Sequence, residues 1–301
     1  MKVLLVPRLK IQNANGLSSP YTIGFPAMTG WLGAVHALER MLADTEFDYV
    51  RFKSVGVVCH KMDLQTHRGD GDFVYSIIGT GNPLIPKTKE GDPQNAERPP
   101  FVEEARCHLT VSLVIECEGL GLGLHRFEES VDKLVQGRLK MAGGDILSAK
   151  PVEVKTVDNE KSRWQLLRRL MPGFCLIERR DLMIKAMQDG LDGLDALLDH
   201  LAVHHTATED EDGKVSWESK RREKGWLVPI ATGFHGISPL GQVKNQRAPE
   251  TPHCFAESVV TLGEFVMPYR IEDLNHMLWH YHSDLENNLY LCKPNTAINE
   301  L

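Results

Sequence analysis

The first 42 residues join three segments of different character, and their order limits the folds that are open to the chain. Residues 3–6 are an apolar run that predicts a strand, and residues 8–24 are a polar connector with few charges. Residues 28–42 repeat apolar side chains at helical spacing, with Trp31 on the apolar stripe, and so predict an amphipathic helix. The amides and hydroxyls of the connector suit contact with bases, sugars or a partner's backbone, but they also suit the turns of an ordinary surface loop.

The rest of the chain mixes strands and helices without regular alternation. Strands are predicted at residues 54–64, 73–78, 106–117, 152–157, 174–177, 227–237 and 258–267. Helices are predicted after residue 124, over residues 181–204 with Leu194 and Leu198 facing inward, and at residues 271–281. This order predicts an α+β domain of ferredoxin-like type, in which helices pack on one face of an antiparallel sheet.

The charge of the chain is distributed unevenly. The net charge is −7, but eight acidic residues and no Lys or Arg lie between residues 189 and 212. Residues 138–180 and 214–247 are rich in bases, and both segments place a Trp (Trp164, Trp226) beside cations. Such segments can bind a phosphate backbone on one side of the protein, or can be solvated helix faces; the charges alone leave both interpretations open.

The sequence contains no intact motif for several functional classes. The run Gly119–Leu124 lacks the last glycine of a dinucleotide-binding fingerprint, and Gly236–Gly241 lacks the spacing of a nucleophile elbow. The thirteen histidines show no zinc-type spacing, and the six scattered cysteines are typical of reduced core residues. No run of 18 apolar residues and no signal peptide is found, so we expect a cytoplasmic protein. The missing zinc-type spacing and dinucleotide fingerprint favour a protein without a metal or nucleotide cofactor.

One long motif resembles a known family. The run L-x-x-P-R-L-K-I-Q-N-A-N-x-x-S-S-P and the following G-F-P-A-x-T-x-x-L-G-x-x-H-A-L-E-R are similar to the start of the Cas-five-type RAMP proteins that hold the 5′ handle of the guide RNA in type I-F CRISPR systems. The similarity recurs at residues 124–146, 225–238, 247–258 and 277–281, and so covers nearly the whole chain.

The resemblance implies a fold and a function. The fold is a modified ferredoxin-like (RRM-like, RAMP) fold with inserted β elements and loops, in a single domain over residues 1–301. An insertion is expected around residues 53–104 and a charged loop around residues 205–224. The function implied is a non-catalytic RNA-binding subunit of a Csy (Cascade) surveillance complex in antiviral defence. Its partners are the 5′ handle of the guide RNA, the large subunit, an adjacent backbone subunit and, indirectly, target DNA.

We assign candidate RNA contacts within this framework by chemistry. Phosphate contacts are predicted for Arg8, Arg138 and Arg247, and polar recognition of the handle for Gln12, Asn13, Asn15, Ser18 and Ser19. The run 141–144 resembles the glycine-rich loop of RAMP proteins, with Met141, Gly143 and Gly144 close to the RNA backbone. Phe234 and His235 are predicted to stack on bases.

Two alternatives come from other functional classes. Related RAMP endoribonucleases process guide RNA precursors with a histidine as general acid or base, a role for which His36 or His235 is available. The second alternative is a protein–protein adaptor that does not contact RNA.

Overall fold

Long strands of alternating side chains form one large antiparallel sheet in the computed structural model, which describes residues 1–79, 84–86, 96–97, 104–121, 123–209 and 212–296. The strands of the main sheet are β1 (Lys2–Asn15), β4 (Arg51–Leu64), β9 (Arg106–Glu118), β10 (Lys140–Met141), β11 (Gly144–Ser148), β12 (Glu153–Thr156), β13 (Phe174–Glu178), β16 (Leu227–Gly236), β17 (Ala256–Val266), β18 (Trp279–Asp284) and β19 (Leu289–Pro294). Short hairpins outside it are β2–β3 (Leu17–Ser19, Thr22–Ile23), β5–β6 (Thr66–His67, Ser76–Ile77), β7–β8 (Ile85–Pro86, Ala96–Glu97) and β14–β15 (His204–Glu209, Val215–Lys220).

Five α-helices lie within the described residues. They are α1 (Met28–Leu42), α2 (Leu124–Gly137), α3 (Glu160–Arg169), α4 (Arg180–Gln188) and α5 (Gly193–Leu201). Two short 3-10 turns, Pro268–Arg270 and Leu274–His276, precede β18. None of the described helices is both long and apolar enough to span a membrane.

The pairing of the strands differs from the predicted fold. The order is β10-β11-β1-β9-β4-β13-β17-β16-β19-β18, with β12 also paired to β1, which gives eleven strands. The free edge of β4 is shared, because Val58 and Cys59 pair with β13 while Val55 pairs with Trp279 of β18. The pairing therefore runs from β4 through β13, β17, β16, β19 and β18 back to β4.

The prediction of an α+β, modified ferredoxin-like (RRM-like, RAMP) fold is wrong. The described residues are dominated by a large antiparallel sheet whose C-terminal strands close a circuit, not by a small open sheet covered by helices on one face. The cause lies in pairings between distant segments, such as β4 with β18 and β13 with β17, which local sequence patterns do not reveal.

Helices cover both faces of the sheet. Leu4 and Val6 of β1 pack in the core beneath α1 and α2, whereas Val3 and Leu5 pack in a second core with Leu166 and other residues of α3. A third cluster joins α4 and α5 to β16 and β17. Because both faces of the sheet are covered, consecutive residues of a strand are all apolar, which explains the run at residues 3–6.

Several local predictions need correction. The polar connector after residue 8 is the second half of β1, which continues to Asn15 through irregularities near Arg8 and Asn13, both at positive φ. The long helix predicted over residues 181–204 is two helices, separated near Gly190. The predicted closing helix over residues 271–281 is also wrong at its end, because residues 279–281 begin the strand β18.

The two expected insertions are described only in part. Of the region around residues 53–104, residues 80–83, 87–95 and 98–103 lie outside the described residues, as does residue 122 of the glycine-rich run. Within the region around residues 205–224, β14 and β15 pair along six residue positions, so this charged segment contains a hairpin.

We predict that Gly233→Ala destabilises the fold. Gly233 pairs with Leu291, and a Cβ at this position would collide with the carbonyl oxygen of Tyr290 and lie 2.9 Å from the Leu291 Cα. Because backbone rather than a flexible side chain blocks the space, we expect the free energy of unfolding to fall by about 3 kcal/mol. Denaturant unfolding measures the loss.

The matched control is Gly137→Ala at the end of α2, where a Cβ meets nothing within 4 Å. This substitution is expected to leave the stability unchanged or raise it by up to about 1 kcal/mol. Equal stabilities for the two variants would contradict the close β16–β19 contact.

Candidate nucleic-acid interface

A groove along the outer side of α1 brings together residues from four separate parts of the chain. Its cavity volume is about 470 Å³. The predicted contact residues Asn15, Ser18, Gly143 and Phe234 all line it, although they come from β1, β2, the β10–β11 turn and β16. The remaining lining residues are Pro26, Ala27, Thr29, Gly30, Gly33, Ala34, Ala37, Lys140 and Ala142.

Small residues of α1 form one wall of the groove. Gly30, Gly33, Ala34 and Ala37 follow one another at helical spacing on this side. The opposite side of the helix is anchored in the core by Met28, Trp31, Leu38 and Leu42, and the indole Nε1 of Trp31 donates to the carbonyl oxygen of Pro26 at 3.1 Å. Two glycines inside a helix reduce its stability, so their benefit here is the space that absent side chains leave.

The β10–β11 turn closes one end of the groove. Ala142 (φ 48°) and Gly143 (φ 78°) turn the chain in the left-handed region, and the carbonyl oxygen of Ala142 accepts from the Asn15 backbone N–H at 2.9 Å. A Cβ at Gly144 would lie 2.6 Å from the Gln12 carbonyl oxygen, so this turn packs directly on β1. The run 141–144 thus forms a hairpin turn and not the end of α2, which lies at Gly137.

The polar groups of the groove are nearly uncharged. The Asn15 side-chain oxygen accepts from the Leu17 N–H at 3.1 Å, and among the described residues its amide nitrogen has no partner. The Ser18 hydroxyl lies 2.9 Å from the Thr22 hydroxyl. Lys140 is the one charged lining residue, and its Nζ is 3.0 Å from an Asp145 carboxylate oxygen. The groove therefore offers hydrogen-bonding groups with little net charge.

An aromatic surface continues from the groove across two strands. Phe234 is 42% exposed and lies opposite Tyr290 in the β16–β19 pairing. Tyr290 stacks on Tyr281 with ring centroids 5.2 Å apart, and a Cβ at Gly33 would lie 3.8 Å from the Tyr281 hydroxyl. Burial raises the pKa of the Tyr281 phenol, which therefore stays neutral.

Other predicted contact residues are not brought into the groove. Arg138 and Arg247 are exposed elsewhere, and Gln12 and Asn13 are exposed on β1 outside the lining. His235 follows Phe234 in a strand, so the two rings point to opposite faces, and the His235 Nδ1 lies 3.5 Å from a Glu257 carboxylate oxygen.

Three of the predicted residues are occupied within the fold. The Met141 side chain is fully buried, and the buried Ser19 hydroxyl lies 2.7 Å from the Thr22 hydroxyl. The Gly144 position is filled on the side facing β1. All three residues are buried in the described structure, so none of them offers a side chain to a ligand.

Arg8 lies near the end of α3. Its guanidinium Nη2 donates to the Met171 carbonyl oxygen at 2.8 Å, and its backbone N–H donates to the Ser112 hydroxyl at 3.0 Å. The same hydroxyl lies 2.6 Å from His60 Nε2. Burial, opposed by the hydrogen bond to the Pro172 carbonyl and assisted by the charge of Arg8, lowers the pKa of His60. Arg8 thus holds the strand to the loop after α3.

The first basic segment forms a separate cleft between β12 and α3. Its cavity volume is about 590 Å³, and it is lined by Lys155, Arg168 and Arg169 among other residues. Glu153 forms ion pairs with both Lys155 and Arg169. The Arg163 guanidinium lies 5.3 Å from the centre of the Trp164 ring, so this tryptophan already has a cation against it.

The described residues show no metal-binding group. No three His, Cys, Asp or Glu side chains of the described ranges lie in an arrangement that could hold an ion. His36 lines a small cleft of about 80 Å³ with Glu39 and Lys53, apart from the groove.

The residues missed by sequence analysis are the small residues of α1. Their signal was present, because Gly30 and Gly33 interrupt an otherwise good helix-forming stretch and share a face with Ala34 and Ala37. A helix that tolerates two interior glycines on one face usually needs that face for a close approach.

Comparison with known proteins identifies the family. The model of the family described as CRISPR-associated protein (Cas_Csy2) matches residues 4–292. The CRISPR-associated protein Csy2 of Pseudomonas aeruginosa (strain UCBPP-PA14) is 35% identical over 320 residues, which cover 96% of this chain and 94% of that relative. The chain therefore belongs to the Csy2 family of CRISPR-associated proteins.

Proposed function

We propose that this chain, as a structural subunit of a type I-F Csy complex, holds the single-stranded 5′ handle of the guide RNA in the α1 groove. The main support for the proposal is that four predicted contact residues lie in the same groove. Asn15, Ser18 and Phe234 were predicted from their chemistry and Gly143 from the family resemblance, and all four line one groove beside the glycines of α1.

The chemistry of the groove suits a single strand of fixed sequence. Such strands are recognised by hydrogen bonds to base edges and sugars and by stacking, rather than by dense positive charge. The free amide nitrogen of Asn15 is a donor for a base edge, and the exposed Phe234 ring is a stacking surface. The glycine wall lets the sugar–phosphate backbone approach the helix closely.

Lys140 is the candidate phosphate contact in the groove lining, and Arg138, which is exposed outside the lining, stays a candidate phosphate contact as well. Arg8 and Arg247 stay candidate phosphate contacts outside the groove, as Gln12 and Asn13 stay candidate polar contacts. The described residues of the acidic segment 189–212 contribute nothing to the groove lining, as expected if acidic side chains repel phosphate.

The proposed partners follow from the family resemblance. The handle-binding subunit pairs with the large subunit, which recognises target DNA, and adjoins the first backbone subunit. We propose that residues 1–301 form a single domain with a binding and not a catalytic role.

We predict that Gly33→Leu separates RNA binding from stability. The leucine side chain projects into the groove and blocks the close approach, so we expect the affinity for the handle to fall about tenfold or more. The helix gains up to about 0.8 kcal/mol of propensity, and a Cβ at this position makes an ordinary contact. Fluorescence anisotropy with the heterodimer of this chain and the large subunit measures binding.

The control is Gly137→Leu at the end of α2, which lies outside the groove lining. It makes the same chemical change and is expected to leave RNA binding intact. Unchanged affinity for Gly33→Leu, with the control also unchanged, would exclude the α1 groove as the RNA site.

We predict that Asn15→Asp reduces the preference for the handle over a scrambled sequence. The aspartate oxygen still accepts from the Leu17 N–H, but the amide donor is lost and a negative charge is added. We expect the affinity for the handle to fall about tenfold, because one hydrogen bond is lost and the new carboxylate repels phosphate. Binding is measured to both RNAs at several salt concentrations.

Gln188→Glu, an exposed residue at the end of α4, is the matched amide-to-acid control. Equal, strongly salt-dependent affinity of the unaltered protein for handle and scrambled RNA would indicate generic phosphate attraction and remove the specific role of Asn15.

The alternative hypothesis of an endoribonuclease can be tested separately. Neither His36 nor His235 lines the groove, and His235 is paired with Glu257 on the other face of its strand. We therefore expect no cleavage of a repeat-containing RNA incubated with the purified protein in the presence of a chelator. Metal-independent cleavage that is lost in His235→Ala would overturn the non-catalytic role.

A further inference from the structure

Two helices on the sheet face opposite the α1 groove expose an unexpected surface. The cluster of α4 and α5 contains Leu182, Ala196 and Leu197 and packs on Leu262 of β17, whereas Phe265 of the same strand belongs to the core under α1. Leu262 and Phe265 are an odd number of residues apart in a strand and therefore point to opposite faces. A ligand of the groove does not reach this side.

The exposed side of α5 is apolar as well as acidic. Ala196, Leu197 and His200 face the sheet, so that Leu194 is left 62% exposed and Leu198 53% exposed, one helical turn apart. We call Leu194, Asp195 and Leu198 the α5 surface. At the end of α4, Met187 is 51% exposed as well.

The charges around this surface are only partly neutralised. Arg222 forms ion pairs with Asp189 and Asp199. Asp192 accepts from the Asp195 backbone N–H at 2.8 Å, and among the described residues neither carboxylate has a cationic partner. Two exposed leucines thus lie beside two uncompensated carboxylates.

We propose that the α5 surface docks a neighbouring protein subunit of the Csy complex through a segment with apolar side chains flanked by Lys or Arg. Apolar side chains would cover Leu194 and Leu198, while the bases would pair with Asp192 and Asp195. The inference rests on the chain being a subunit of this complex, and it does not depend on the RNA groove.

The charge excludes other occupants. A phosphate backbone is repelled by Asp192 and Asp195, with Asp189 and Asp199 close behind them. A second copy of the chain would bring the same acidic residues against themselves, because a two-fold interface uses identical patches. A basic, apolar protein segment is the partner whose chemistry complements both features.

The test uses the complex assembled in cells from all its subunits and the guide RNA, with a tag on this chain. Leu194→Gln combined with Leu198→Gln removes the apolar area and keeps helix propensity almost unchanged. We expect retention of the neighbouring large or backbone subunit to fall about tenfold, which native mass spectrometry and dissociation on dilution measure. Binding of the handle is measured in parallel and is expected to persist.

A second variant guards against a folding defect. Asp195→Lys alters an exposed residue without removing any core contact, and it is expected to weaken the same association most strongly at low salt. Leu285→Gln, at an 80% exposed leucine in the turn between β18 and β19, is the control and should assemble normally.

The outcomes separate this proposal from the RNA proposal. Normal assembly of both the double leucine variant and Asp195→Lys would overturn it, as would a dimer of the unaltered chain that the leucine changes convert to a monomer. Lost assembly of both variants, with thermal stability and handle binding retained, supports it. Equal affinity of the fully assembled complex for the handle and a scrambled RNA would contradict the RNA site in the groove. It would not contradict the docking role of the α5 surface.

Discussion

The return of β18 to β4 at Trp279 is the interaction on which the rest of the structure depends. Trp279 pairs with Val55 through its backbone, is fully buried, and donates from its indole Nε1 to the Leu176 carbonyl oxygen at 3.1 Å. Removing a buried side chain of this size typically costs about 3–5 kcal/mol. Gly56 permits the approach, because a Cβ there would lie 3.1 Å from the Met277 carbonyl oxygen. One residue thus joins strands from both halves of the chain.

The α1 groove is a consequence of this closure. β16 and β19 are reached through β13 and β17 on one side and through β18 on the other, so their position beside α1 is fixed from both ends. Phe234 can then face Gly30 and Gly33, which lie about 200 residues earlier in the sequence. Gly233, next to Phe234, allows β16 to approach the backbone of β19 closely, because a Cβ there would collide with the Tyr290 carbonyl oxygen. The site is therefore a junction between two parts of one sheet.

The sequence predicted local features well and distant ones poorly. The β-branched run at residues 54–64 located all of β4 except its first three residues, and the alternating side chains at residues 106–117 located all of β9 except its last residue. Four of the predicted contact residues, Asn15, Ser18, Gly143 and Phe234, line one groove. The closure at Trp279 was missed because a single backbone pairing leaves no pattern, and residues 279–284 have the composition of either element. The break at Gly190 reversed the expected orientation of Leu194 and Leu198, because a change of helix direction resets which residues face the core.

The net charge of −7 is consistent with an RNA-binding role once the charges are placed in the fold. The uncompensated acids Asp192 and Asp195 belong to helices on the face opposite the groove, and the groove carries Lys140 as its one charged lining residue. The proposed RNA site in this groove would gain little from general attraction of phosphate, so binding there would come from donors, stacking and shape. Weak dependence on salt and strong dependence on sequence are then two consequences of the same geometry. For the proposed role of holding one RNA sequence and no other, a site that does not attract nucleic acid in general is an advantage.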